Sequence, residues 1–150
     1  MLEFLEYRVL DAMTPDPVTI GPELSLAGVE EVFEEHDFNA LPVVDEEDRL
    51  IGIFTKLDLL KAFREIDGRM FVPYDQIMQQ PVRAFMTEVR KIASVTPRTP
   101  LTRVLEKILA VGTKSLPVVD DEKVVGIIAR EDLMRALRRA VAGEAPKKPI

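Results

Sequence analysis

The chain has 150 residues, of which 47% are hydrophobic and 31% charged, the balance of a folded globular protein. Its net charge of −6 works against nonspecific binding to nucleic acid or anionic membrane, and the absence of cysteine excludes disulfides, thiolate chemistry and cysteine metal sites. Glu3, Glu6, Arg8 and Asp11 interrupt the first residues, and no apolar run approaches the roughly 18 residues of a membrane span. Neither a signal peptide nor a membrane segment is expected, and the chain reads as a cytoplasmic protein.

In chain order, residues 2–11 predict a short helix with Leu2, Leu5 and Val9 on one stripe. Val18-Thr19-Ile20 reads as an extended piece ended by Gly21-Pro22. Ser25 caps a predicted helix to about His36, with Leu26, Val29 and Phe33 at helical spacing. Leu41 to Asp45 is a continuous apolar run, as in a strand covered on both faces. The acidic residues 45–48 make a turn, and Leu50 to Phe54 form the returning strand. A helix from Asp58 to Ile66 comes next, with Gly68 placed to stop it. Residues 67–81 read as a linker.

The order then repeats. Ala93-Ser94-Val95 is extended, and Thr99-Pro100 starts a helix with proline at the first helical position. Leu101, Val104, Leu105 and Ile108 form its buried stripe, and Gly112 ends it. Strands at Leu116–Val119 and Val124–Ile128 lead into a helix from Asp132 to about Val141, and residues 142–150 read as a flexible tail. The repeat is also literal. Leu41-Pro42-Val43-Val44-Asp45 returns as Leu116-Pro117-Val118-Val119-Asp120, and Gly52-Ile53-Phe54-Thr55-Lys56-Leu57-Asp58-Leu59 is echoed by Gly126-Ile127-Ile128-Ala129-Arg130-Glu131-Asp132-Leu133. Met13-Thr14 and Met86-Thr87 stand ahead of the two copies. The fold expected is α+β, with two β-α-β-β-α repeats at 8–66 and 82–141. A unit of about 60 residues is marginal alone. The two should therefore share a core about a pseudo-two-fold axis and leave paired clefts.

Chemistry concentrates in Gly52-Ile-Phe-Thr-x-x-Asp58, where a strand turns into a helix. A hydroxyl beside free backbone N–H groups at a helix N-terminus suits a phosphate. A carboxylate one turn later can accept two hydrogen bonds from a ribose diol, at roughly 1.5–3 kcal/mol each. The glycine admits a close backbone or ligand. The same residues also fit a capping box, in which Thr55 caps the helix and Asp58 reaches back, with about 1 kcal/mol of stability and no ligand. In the second copy Asp132 is kept and the hydroxyl is lost at Ala129. Both readings stand at this point.

Taken together, the Met-Thr opening, the Leu-Pro-Val-Val-Asp strand and the Gly-to-Asp phrase resemble a tandem pair of cystathionine-β-synthase (CBS) domains, a Bateman module, over about residues 8–140. The resemblance implies a regulatory module, not an enzyme, whose two clefts between repeats bind AMP, ADP, ATP, S-adenosylmethionine or a related molecule. Carried over, Asp58 would hold the ribose, Thr55 a phosphate, and Ile53 the adenine together with Ala93. The phosphate-facing position three before the strand proline falls on Asn39 and on Lys114. The second cleft would use Asp132, Ile127 and Val18, and Ala129 departs from the pattern there, so the Asp58 cleft is expected to be the better site. The family also implies a homodimer and a regulated partner on a separate chain.

No prosthetic group, metal or catalytic residue is expected. His36 is the only histidine, and the acidic runs at 45–48 and 120–122 lack the spacing of a calcium loop. Arg135, Arg138 and Arg139 with Lys147-Lys148 form a basic cluster without neighbouring aromatic residues, so nucleic acid is not an expected partner. The alternative function is a protein-protein scaffold with a vestigial nucleotide site.

Overall fold

The computed structural model describes residues 2–64 and 73–146. The Gly68 helix stop, the end of the helix expected to reach Ile66, and Lys147-Lys148 lie outside the described residues. Two compact units form. One is contiguous, Val18–Ile92, and the other is split, Met1–Pro17 with Ala93–Ile150. Each unit therefore joins the body of one sequence repeat to the opening segment of the other.

In the contiguous unit the sheet order is β2 (Ala40–Val44), β3 (Leu50–Thr55), β4 (Thr87–Glu88), all antiparallel. Here β1 denotes Thr14–Pro15, which belongs to the split unit. Ile20 continues the far edge of β2 in parallel, its N–H donating to Pro42 O at 3.0 Å and its carbonyl accepting from Val44 N at 2.9 Å. That pattern explains a proline inside a strand. The N–H groups of even-numbered residues point to this edge, where only one residue pairs, so Pro42 lacks a donor that nothing there would accept. Helix α3 (Leu26–Glu35) begins as expected at Ser25, whose hydroxyl accepts from Gly28 N at 3.1 Å. Leu26, Val29 and Phe33 of α3 pack with Leu41, Val43 and Phe54 of the sheet and Ala62 of α4 (Lys56–Arg64). The core is completed by Ile77 and Met78 of α5 (Tyr74–Met78) and by Val82. Residues 74–78 lie in the stretch expected to be a linker, and the two buried side chains are what fold them.

The split unit has the same plan. Its sheet runs β1, β6 (Lys123–Ala129), β5 (Ser115–Asp120), and Val95 continues the edge of β5 by bonds to Pro117 O and from Val119 N. Helices α6 (Leu101–Val111) and α7 (Arg130–Val141) bury Leu101, Val104, Ile108, Leu133, Ala136 and Ala140 against Leu116, Val118 and Ile128. Gly112 closes α6 with a left-handed φ of 73°. Pro100 precedes the helix as its N-cap, one position earlier than expected.

The single N-terminal helix is corrected to two, α1 (Leu2–Leu5) and α2 (Val9–Ala12), with a break at Tyr7-Arg8 where the chain pairs with Pro100. Phe4, Tyr7 and Val9 are buried while Leu5 faces solvent, so Val9 packs as expected and Leu5 does not share its face. Tyr7 also donates its hydroxyl to Glu144 O at 2.9 Å, which holds the start of the expected tail.

The two Met-Thr phrases supply edge strands. Thr87 pairs with Ile53 and Glu88 with Gly52; Thr14 pairs with Ile127 and Pro15 with Gly126. A Cβ on Gly52 would lie 2.6 Å from Met86 Sδ and 2.9 Å from Thr87 O, and one on Gly126 would lie 2.7 Å from Met13 Sδ and 2.9 Å from Thr14 O. Both glycines are required by an incoming backbone. Gly52→Ala and Gly126→Ala should each destabilise the protein by about 1–3 kcal/mol through overpacking, read by chemical denaturation. A shift within a few tenths would show that β4 or β1 yields freely.

Candidate functional site

The carboxylates singled out by sequence sit in the first turn of α4 and of α7, at the ends of β3 and β6. Asp58 is 6% exposed and Asp132 is 3% exposed. In the contiguous unit the capping box forms. Thr55 N donates to Asp58 Oδ2 at 2.8 Å, and Asp58 N donates to Thr55 Oγ1 at 3.1 Å. This bond leaves the Thr55 hydroxyl proton available to a ligand oxygen. The second carboxylate oxygen, Asp58 Oδ1, has no hydrogen-bond partner among the described residues and is open to solvent rather than buried. The site is thus a helix cap with one charged acceptor to spare.

Asp132 is placed alike and used differently. Ala129 N donates to its Oδ2 at 2.7 Å, and the other oxygen accepts from Thr14 Oγ1 at 3.3 Å and from the guanidinium of Arg135. Ala129 supplies no hydroxyl to the N–H of Asp132. At the matching positions of the contiguous unit, Thr87 and Lys61 make no bond to Asp58 among the described residues.

The other expected residues divide between the units. Ile53 and Asn39 share the contiguous unit with Thr55 and Asp58; Ile53 pairs with Thr87 beside the glycine, and Asn39 O accepts from Lys56 N at 3.3 Å. Ile127 and Lys114 share the split unit with Asp132, and Lys114 O accepts from Arg130 N at 3.1 Å. Asn39 and Lys114 are therefore equivalent, each at the start of the helix that carries a carboxylate, with exposed side chains. Val18 belongs to the unit of Asp58 and Ala93 to the unit of Asp132. Neither unit by itself brings Ala93 to Asp58 or Val18 to Asp132.

Three further features have structural roles. Asp45 is a turn residue, accepting from the N–H groups of Arg49 and Glu47 and from the Arg49 guanidinium, contacts that hold its carboxyl below the usual range. In the second hairpin Asp121 and Glu122 take left-handed φ values of 50° and 68°, as a two-residue turn demands. Of the arginines on α7, Arg135 is taken by Asp132, while Arg139 lies 5.3 Å over the Tyr7 ring and pairs with Glu144. A groove of about 530 Å³ between α3 and α5 is lined by Glu30, Glu31, Glu34, Glu35 and Asp75 and contains none of the expected nucleotide contacts. Its charge repels a phosphate. No helix among the described residues is long and apolar enough to cross a membrane.

A duplicated β-α-β-β-α body with exchanged openings and an acid in the first turn of each second helix defines a paired, repeat-built module. The sequence model of the CBS domain matches residues 9–65 and 82–139, and the chain belongs to the CBS domain family. A 17.7 kDa protein of Acidianus ambivalens is 30% identical over 133 residues, covering 87% of this chain and 73% of its own length. Other curated relatives are longer: the chain spans only 22% of the L-aspartate semialdehyde sulfurtransferase of Methanocaldococcus jannaschii, at 29% identity over 85% of this chain. Among solved structures, a CBS domain pair in complex with 5′-methylthioadenosine and S-adenosyl-L-methionine superimposes with a TM-score of 0.72 at 27% identity, over 89% of this chain and 97% of that one. CBSX2 in complex with AMP gives 0.76 at 29% identity, over 90% and 98%.

The different employment of the two acids has a measurable consequence. Asp58→Ala should cost about 1 kcal/mol, the worth of a cap. Asp132→Ala should cost about 2 kcal/mol or more, because the loss adds the charge-assisted bond from Arg135 to the bond at the helix start. Equal losses in urea unfolding would contradict the asymmetry.

Proposed function

We propose that the chain is a regulatory module that senses an adenosine-containing metabolite, of the AMP, ADP, ATP or S-adenosylmethionine type, and that it performs no catalysis. The observation that carries this reading is the unpartnered oxygen of Asp58, a nearly buried carboxylate beside a hydroxyl and a helix N-terminus. In this reading Asp58 accepts from the ribose diol, and Thr55 and the start of α4 receive the phosphate or its substitute. Ile53, in the same unit, lines the base, and Asn39 serves as a polar contact. The complexes of structural relatives with AMP, 5′-methylthioadenosine and S-adenosyl-L-methionine support the ligand class. Binding would favour one state of the module to the extent that the ligand prefers it, and a separate protein would read that state. Exposed Leu57 and Leu60 on α4, and Met134 and Val141 on α7, support a homodimer through helix faces.

The second reading is a protein-protein scaffold with a vestigial site, favoured by the capping box, which gives Thr55 and Asp58 a task without any ligand. Titration calorimetry with AMP, ATP, S-adenosylmethionine and NADH separates the two. The sensor should show saturable micromolar binding to at least one adenosyl compound. Asp58→Ala should weaken it at least tenfold, since one charge-assisted hydrogen bond is worth roughly 1.5–3 kcal/mol. No heat from any of them would leave the scaffold.

A further inference from the structure

Asp132 is the better buried of the two acids and has the fuller set of partners. One oxygen serves the helix start, and the other is claimed twice, by the Thr14 hydroxyl and by Arg135. An incoming diol would have to displace a charged donor with a neutral one at a carboxylate that is itself buried, an unfavourable exchange even though the Arg135 side chain lies at the surface. The contiguous unit has Lys61 where the split unit has Arg135, three residues after the acid in both copies. The difference is chemical. A guanidinium is planar and weakly hydrated, and here one of its nitrogens reaches Asp132 Oδ1, whereas an ammonium is a compact and strongly hydrated point charge that stays in water. Lys61 is exposed and makes no bond to Asp58 among the described residues.

We infer that Arg135 is a built-in occupant of the second carboxylate, so that the chain takes one adenosyl ligand, at Asp58, and that the residue three positions after each acid decides whether that acid is open. The inference rests on the adenosyl reading for its ligand, though not for the pairing of Arg135 with Asp132.

The test uses calorimetry of the full chain with two probes, adenosine and AMP, with thermal unfolding as a check on folding. In the Asp58→Ala background both probes should be silent. Adding Arg135→Met, or Arg135→Lys to match Lys61, should open a site at which both probes show saturable binding. Conversely, Lys61→Arg in the wild-type chain should weaken binding at Asp58 about tenfold. Silence of the double variants while the wild type binds would overturn the inference. So would AMP binding to Asp58→Ala that falls on losing Arg135 while adenosine is unaffected, since Arg135 would then be a phosphate ligand. If the wild type binds neither probe, the adenosyl reading fails, and a double-mutant cycle of Asp132→Asn and Arg135→Met on the unfolding midpoint decides separately. Non-additive shifts sustain the sequestration of Asp132, and additive shifts overturn it.

Discussion

The structure depends on two backbone approaches that only glycine permits. Gly52 and Gly126 stand in the middle of their strands, where glycine is ordinarily a weakness. Here each receives a methionine side chain and a threonine carbonyl from the opening segment of the other sequence repeat. Of the phrases that recur in both copies, Met-Thr and the Gly-to-Asp phrase belong to this contact or to the helix beyond it, and Leu-Pro-Val-Val-Asp forms the strand on the other side of the glycine strand. The Met-Thr pair delivers the edge strand, the glycine accepts it, and the same strand continues into the acid-bearing helix.

That contact also sets the surroundings of the two acids. In the split unit the segment carrying Met13 continues into Thr14, whose hydroxyl reaches Asp132. In the contiguous unit the equivalent segment leaves Asp58 with an oxygen to spare. A substitution of one residue in each of two places, alanine for threonine and arginine for lysine, turns one fold element into two different chemical objects. Duplication here has preserved the scaffold more strictly than the site.

Much of this is legible in the sequence, and the exceptions have physical causes. The helix at Leu26–Glu35, the paired strands and the closure at Gly112 arise from local signals: a serine cap, apolar runs, a glycine after a helix. The Thr55–Asp58 box is legible as geometry but not in its use, and its spare oxygen is beyond any one-dimensional reading. The exchange of opening segments is hidden because β1 and β4 are two residues each and carry no periodicity. A pairing between residues 14 and 127 leaves no trace in spacing. The glycine announces that something comes close without saying what. The break at Tyr7-Arg8 escapes notice because the helical stripe looks continuous, whereas tertiary pairing with Pro100 overrides it. Arg135 has a signal of its own: an acid and an arginine three residues apart on a helix are neighbours.

The division of the chain into one contiguous unit and one split unit has a consequence for biosynthesis. Everything in the Val18–Ile92 unit has left the ribosome once β4 and the turn after it have emerged, so that half can close while synthesis continues. Residues 1–17, although made before that unit, must wait unpaired until β6 appears at residues 123–129. Their short, charge-interrupted helices suit a segment that spends that interval in water.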